Sequence, residues 1–417
     1  MSCVIALARS WGGPASPRCG LQIPAQGSHR AAHVLGRRWR RLLLLLLVPA
    51  CLIYVFYDSL EPHFMAVGWL VQNRYWHQWF YRAPELSSDL ENASLVLYWT
   101  PAFHDAAFNG YGMKPFAHCP VNNCVGTNDR RYLSRARAVL FHGADISMWD
   151  VPPERTVDQL YVFWSLESPP MLNMAFGALN SVFNLTMTYR LDSDVVFPYF
   201  EVIRRNRSAT VAPAAAAGPT ASGAPTLPAG PEPTVAWLVS HCTTPSRREQ
   251  YVAKLQRYLP VHVFGACGTR ECGDPAKRRD TLTCFRELVG NYTFLLAFEN
   301  SLCQDYITEK LFHALQVGLV PVVRGAPRAS YAAVAPPDSF VHVDDFAGPR
   351  ELAAHLHHLA RNASALARLT AWRDSFTVRP VEGWCRLCAR MLQPDGPVPA
   401  RYDDLRRWWN DGSHCRS

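Results

Sequence analysis

The first 41 residues contain no acid and no lysine, although seven arginines lie among them. Subtracting those seven from the formal net charge of +8 leaves about +1 for the rest of the chain, which argues against a nucleic-acid-binding protein. No charge of either sign occurs from 42 to 57. No glycine-rich phosphate loop occurs anywhere, so a P-loop or dinucleotide fingerprint is excluded. No second CxxC accompanies Cys385-x-x-Cys388, which weighs against a structural zinc site. No internal repeat is present, so a solenoid is excluded as well.

What is there begins with Arg37, Arg38, Arg40 and Arg41, which run straight into the uncharged stretch. Its 16 residues lie just under the roughly 17 that a spanning helix needs. No small-residue cleavage site follows; Tyr54, Phe56 and Tyr57 stand there instead. The expectation is a signal-anchor with residues 1–41 in the cytosol and the C-terminus luminal. A short span suits the thin membranes of early secretory compartments. Beyond it lie sequons at Asn92, Asn184, Asn206, Asn291 and Asn362, and ten of the 13 cysteines, a composition that favours disulfides.

Residues 58–90 read as a stem. Residues 91–207 and 235–390 each alternate apolar strand-like runs with helical stretches, the mark of α/β architecture. Strand runs are expected at 95–99, 138–142, 160–164, 235–239, 261–264, 293–298, 320–323 and 340–343. Helices are expected at 247–258, 306–317 and 350–359. In the second of these helices, Leu311, Ala314 and Leu315 stand at helical spacing with Gly318 past the end. Residues 208–234 are almost wholly Ala, Pro, Gly, Ser and Thr and read as a linker; residues 391–417 read as a C-terminal tail. The reading is two Rossmann-like domains with a cleft at the C-terminal ends of their strands.

Three strings could carry chemistry. In Phe298-Glu-Asn-Ser-Leu-Cys-Gln-Asp-Tyr-Ile-Thr-Glu-Lys310, a strand hands over to a helix, where free N–H groups and the helix dipole favour an anion. Lys310 lies close to the first turn, where cations are unusual. In Trp164-Ser-Leu-Glu-Ser-Pro-Pro170, Glu167 is held after a strand by a double proline, a good mount for a general base, although an exposed loop glutamate would look the same. Asp192 and Asp194 form a DxD string that suggests a metal, but two separate α/β halves favour structural carboxylates.

Together these strings resemble the GDP-fucose-dependent α1,3-fucosyltransferases. The resemblance is carried by FNLTMTYRLDSDVVFPY (183–199), VSxC…RxxY (239–251), LAFENSLCQDYITEKLF (296–312), VHVDDF (341–346) and WCRLC (384–388), and spans about residues 95–390. It implies a GT-B fold of two Rossmann-like domains, here preceded by a single transmembrane helix. It also implies an inverting transfer of L-fucose to O3 of an N-acetylglucosamine with no metal required, a divalent ion at most stimulating it. CGTREC (267–272) and Ser240-His241-Cys242 look most like the subgroup acting on the inner N-acetylglucosamine of N-glycans. A Lewis-type enzyme acting on terminal lactosamine, or a catalytically silent lectin, are the alternatives. The family's base matches Glu167, and its donor-binding positions match Tyr199, Ser240, Arg248, Asn300, Tyr306, Glu309 and Lys310. Arg248 and Lys310 would take the charge of the departing phosphate, and Glu309 would bind ribose hydroxyls. His241, Phe264 and Leu295 depart from the family pattern and would adjust the nucleotide pocket. The resemblance also implies that Cys385 and Cys388 pair with Cys119 and Cys124. The expected partners are GDP-fucose, a glycoprotein N-glycan and the Golgi membrane, with no nucleic acid.

Overall fold

A computed structural model describes residues 83–416, apart from 88–89, 91, 104, 148–149, 153, 173–178, 206–226, 228–229, 231, 273–280, 382 and 394–399. The expected cytosolic tail, the 42–57 span, nearly all of the stem and most of the 208–234 linker lie outside the described residues. Among those residues no helix is long and apolar enough to cross a membrane.

Two parallel sheets dominate. The first contains β1 (Ser94–Tyr98), β2 (Cys124–Thr127), β3 (Ala138–His142), β4 (Leu160–Ser165), β5 (Leu185–Thr188) and β6 (Val195–Val196), in the order β2-β1-β3-β4-β5-β6. Its central strands have both faces covered, which is why LVLY, AVLFH and LYVFW are continuous apolar runs rather than alternating ones. Successive side chains go to opposite faces. Leu95, Leu97, Phe141, Tyr161 and Phe163 join one core, while Val96, Tyr98, Leu140, Val162 and Trp164 join the other. Each large side chain so buried contributes about 1.5–3 kcal/mol.

After β7 (Phe200–Arg204) the chain enters the second sheet. This contains β8 (Val235–Leu238), β9 (Val261–Phe264), β10 (Phe294–Phe298), β11 (Val320–Arg324) and β12 (Val341–His342), in the order β12-β11-β10-β8-β9. Helices α1 (Arg248–Leu255), α2 (Thr281–Leu288), α3 (Glu309–Val317), α4 (Arg328–Val334), α5 (Pro349–Arg361) and α6 (Ala363–Arg368) alternate with or follow these strands. Val252 and Leu255 of α1 and Leu352 and Leu356 of α5 pack against Trp237, Leu296 and Val322 on one face. Leu311 and Leu315 of α3 pack with Ala297 and Val323 on the other, as the 3.6-residue spacing requires. Gly318 closes α3 with φ +100, its N–H donating to the Ala314 carbonyl, a left-handed cap that glycine adopts without strain.

The C-terminal segment departs from the expected layout. Strand β13 (Phe376–Pro380) pairs antiparallel with β7, and the chain then returns to the first half. Leu387, Cys388 and Met391 of α7 (Gly383–Met391) enter the core beside Tyr98 and Trp164. Leu405 and Trp409 of α8 (Leu405–Trp409) are fully buried beside Phe141 and Phe163 on the opposite face. The stretch expected to be a tail is therefore part of the first half's core, recruited by apolar side chains too few to show a period.

Disulfides Cys119–Cys385 and Cys124–Cys388 bind α7 to the first half, the pairing the resemblance implied. Cys242–Cys267 and Cys272–Cys284 lie within the second half, and Cys303–Cys415 ties the loop after β10 to the C-terminus. The sequons differ in access: Asn92 and Asn291 are exposed, whereas Asn184 is 3% exposed and its Oδ1 accepts from the Tyr161 N–H at 3.1 Å. Phe264 and Leu295, expected near the nucleotide pocket, are buried in the core of the second half with Phe285 and Leu319.

Candidate active site

The C-terminal ends of β4 and β10 face each other, and an acid follows each strand. From β4, Ser165 fixes the turn: its hydroxyl donates to the Glu167 carbonyl and accepts from the Glu167 N–H, both at 3.2 Å. Glu167 is thereby held half-buried just before Pro169 and Pro170. From β10 comes Glu299, wholly buried. The two turns touch where Ser168 Oγ donates to Ser301 Oγ at 2.7 Å.

Tyr306 links the halves at the centre. It is buried, its ring meets Tyr189 at 5.0 Å in an edge-on contact, and its hydroxyl donates to Glu167 Oε2 at 3.2 Å. Tyr199 donates to the Leu166 carbonyl at 2.6 Å. Burial and the carboxylates of Glu167, Glu299 and Glu309 push both phenols well above their ordinary range, so they stay neutral donors. Tyr306 therefore orients the candidate base through its only polar atom.

Around Glu299 lies a compact charge cluster. Thr308 precedes α3 and gives both its N–H (2.8 Å) and its hydroxyl (2.8 Å and 3.0 Å) to the Glu299 carboxylate. That hydroxyl is therefore not capping α3, whose N-terminus carries no side-chain cap and presents its dipole's positive end. Lys310 Nζ lies 3.1 Å from Glu299 Oε2, 3.1 Å from Glu309 Oε1 and 2.7 Å from Thr308 Oγ1. Burial raises the Glu299 carboxyl above its ordinary value, and Lys310 opposes that rise. Burial acts to lower Lys310, but Glu299 and Glu309 outweigh it and hold the ammonium above its usual value. Burial acts to raise Glu309, but Lys310 overcomes it and holds the carboxyl below its usual value. Gly325 gives this cluster room: a Cβ there would stand 2.6 Å from Glu299 Cγ and 2.8 Å from the Tyr331 hydroxyl.

The remaining expected donor residues ring the top of the second sheet. Arg248 opens α1 and is 3% exposed; it donates to the Phe298 carbonyl at 2.6 Å and the His241 carbonyl at 3.1 Å. Burial lowers its pKa while Glu299 supports its charge, and its Nε finds no partner among the described residues. His241 thus contributes its backbone carbonyl here. Asn300 is half-buried and its Oδ1 is also unpartnered among the described residues. Ser240 stands exposed after β8. Two buried polar atoms without partners, both beside a C-terminal strand end of the second sheet, fit a polar ligand seated there.

Asp192 and Asp194 are not part of this cluster. Asp192 pairs with Arg190 at 2.6 Å, and Asp194 Oδ2 accepts from the Thr186 N–H, the Thr186 hydroxyl and the Tyr402 hydroxyl at 2.8–2.9 Å. Both carboxylates serve the loop after β5. Sequence reasoning missed Glu299, although half of the signal that singled out Glu167, an acid following an apolar strand, applies to it; the double proline after Glu167 has no counterpart there.

Known proteins share these segments. Residues 91–200 match the fucosyltransferase N-terminal region, and residues 230–408 match the glycosyltransferase family 10 (fucosyltransferase) C-terminal region. Alpha-(1,3)-fucosyltransferase C of Drosophila melanogaster is 32% identical, with 96% of this chain and 97% of that protein covered. Alpha-(1,3)-fucosyltransferase 7 of Bos taurus is 41% identical, with 69% of this chain and 78% of that protein covered. A solved structure of an alpha1,3-fucosyltransferase with GDP-fucose aligns over 78% of this chain and 89% of its own, with 16% identity and a TM-score of 0.44. The chain belongs to the α-(1,3)-fucosyltransferases of glycosyltransferase family 10 and is a glycosyltransferase.

Proposed function

We propose that this enzyme transfers L-fucose from GDP-β-L-fucose to O3 of an N-acetylglucosamine, with inversion, on a GT-B scaffold. The observation that carries this reading is the Tyr306–Glu167 hydrogen bond, which joins a carboxylate of the first half to the loop that opens α3. Glu167 takes the O3–H proton as O3 attacks fucose C1. The bond from C1 to the β-phosphate oxygen breaks, and GDP leaves carrying the charge. Arg248, Lys310 and the uncapped start of α3 stabilise that charge. Glu309, half-buried with its side chain 47% exposed, is available to ribose hydroxyls. Ser240, Asn300, Tyr199 and Tyr306 complete the donor surroundings.

The acceptor proposed is the inner N-acetylglucosamine of glycoprotein N-glycans. The bridge Cys242–Cys267, within the strings that suggested that subgroup, supports this. Terminal lactosamine, the acceptor of a Lewis-type enzyme, is the second reading. No metal is required in this scheme, in keeping with the hydrogen-bonded roles of Asp192 and Asp194. The arginine-flanked stretch 42–57 would anchor the enzyme in the Golgi membrane with its catalytic part luminal. Incubation with GDP-fucose and a glycan array, with and without excess EDTA, followed by linkage analysis, tests the proposal. Fucose at any position other than O3 of N-acetylglucosamine, or activity abolished by EDTA, would refute it.

A further inference from the structure

Tyr306 reaches Glu167 from a loop, 299–308, that is anchored on both sides of it. After Tyr306, the Thr308 N–H and hydroxyl are bound to the Glu299 carboxylate. Before it, Cys303 is bonded to Cys415, and the Leu302 carbonyl accepts from the Arg416 N–H at 2.9 Å. The Gln304 N–H donates to the Ser413 carbonyl at 2.8 Å. Between these anchors the chain turns at Asp305, which stands at φ +58 and whose carbonyl accepts from the Ile307 N–H at 2.9 Å. Aspartate is one of the few residues besides glycine that enter this left-handed region readily.

The Asp305 carboxylate does what a glycine could not. It is half-buried and gives one oxygen to each half of the molecule. Oδ2 accepts from the Leu191 N–H at 3.2 Å, in the loop after β5. Oδ1 accepts from Ser330 Oγ at 2.8 Å, on α4. Both partners are themselves fixed. Leu191 follows Arg190, which is 6% exposed and donates to the Trp408 carbonyl and Ser413 Oγ. Ser330 is buried. Neither bond involves the start of α3, which hangs on Glu299 through Thr308 and Lys310. Asp305 therefore sets the turn that carries Tyr306, while the charge cluster is held by other contacts.

We infer that Asp305 is a positioning residue for the transfer: by tying the turn before Tyr306 to Leu191 and Ser330, it keeps the Tyr306 hydroxyl on Glu167 Oε2. That bond is 3.2 Å long, at the far end of the favourable range, so a small displacement of the turn breaks it. Misplacing a reacting group by about 1 Å can cost on the order of 10²-fold in rate. Because α3 is anchored separately, the loss falls on turnover and not on GDP affinity. The inference rests on the reading of Glu167 as base.

Asp305→Gly is the first variant, because glycine accepts φ +58 and only the carboxylate is lost. Asp305→Asn keeps the shape and one acceptor, and Ser330→Ala removes one partner without altering the loop. Turnover is measured with GDP-fucose and two free acceptors, N-acetyllactosamine and an N-glycan core oligosaccharide. GDP affinity is measured by calorimetry, and amide hydrogen exchange over 299–308 by mass spectrometry. Asp305→Gly is expected to lower kcat about tenfold or more with GDP affinity within about twofold of wild type, and Asp305→Asn and Ser330→Ala should lie between. In a Tyr306→Phe background, Asp305→Gly should lower kcat no further, since the hydroxyl it positions is already gone. Exchange over the loop should quicken in Asp305→Gly and, to a lesser degree, in Ser330→Ala. An unchanged kcat overturns the inference, as does an equal fall in GDP affinity, or losses that multiply in the Tyr306→Phe background. If the wild-type enzyme transfers no fucose, or Glu167→Gln stays active, the proposed function or its base fails instead. Exchange then still decides the role of Asp305: faster exchange in both variants upholds it, and unchanged exchange in Ser330→Ala overturns it.

Discussion

Lys310→Ala should do two separable kinds of damage. The lysine stabilises charge at the start of α3, and it neutralises Glu299, whose side chain is 0% exposed and 3.1 Å away. Breaking a buried pair from one side costs about 3–5 kcal/mol, because the remaining charge has no water to turn to. The lower figure is expected, since Lys310 is 20% exposed and the Thr308 N–H and hydroxyl still bind Glu299. The loss depends on pH in a defined sense. Burial already holds the Glu299 carboxyl above its unfolded value, and removing Lys310 raises it further. An acid whose folded pKa is raised loses stability as pH climbs from its unfolded value through its folded one. The gap between Lys310→Ala and wild type should therefore be widest in mild alkali and narrow as the pH falls into the carboxylate range. Urea denaturation at several pH values measures it. Adding Glu299→Gln removes the stranded charge and keeps an acceptor for Thr308, so the double variant should recover most of the stability. Turnover should stay about 10²–10³-fold low in both, since the charge-stabilising donor is still missing. Recovery of turnover in the double variant would show that the lysine serves only to neutralise Glu299. Wild-type stability of Lys310→Ala at high pH would refute the electrostatic argument itself.

Glu167→Gln keeps the shape of the turn and loses only the base: GDP affinity by calorimetry should be near normal while single-turnover transfer falls by roughly 10²-fold or more. A variant within a few-fold of wild type would pass the base role to Glu309. Opening Cys119–Cys385 by Cys385→Ser should cost about 2–3 kcal/mol, because Cys124–Cys388 still closes almost the same loop and only a short ring is released, measured by denaturation under non-reducing conditions. Gly325→Ala should destabilise by about 1–3 kcal/mol, because its Cβ would press on Glu299 Cγ, and thermal unfolding that matched wild type would contradict this packing.

The charge cluster shows where sequence reasoning reached and where it stopped. Lys310 stood out because a cation so near a helix start is unusual, and α3 does begin one residue before it. Its main partner went unnoticed because Glu299, eleven residues upstream, becomes a neighbour only once the loop from 299 to 308 folds back. The C-terminal stretch was misread for a related reason. Leu405 and Trp409 carry no period in so short a helix, and their burial follows from a first-half surface that only the assembled sheet creates.

Apolar runs and helical spacing by themselves determined the two parallel sheets, most of their strands, and the helix expected at 306–317, which forms from 309 to 317. These are short-range properties, because a strand buried on both faces must be apolar throughout and a packed helix must repeat near 3.6 residues. The tertiary structure alone decided that Tyr306 would reach Glu167 across 139 residues of chain, and that Asp194 would be bound by Tyr402. It alone buried the sequon at Asn184 and gathered Phe103, Phe108, His142 and Trp164 into one corner. Such contacts depend on how packed layers bring distant segments together, and no local pattern of residues encodes that distance.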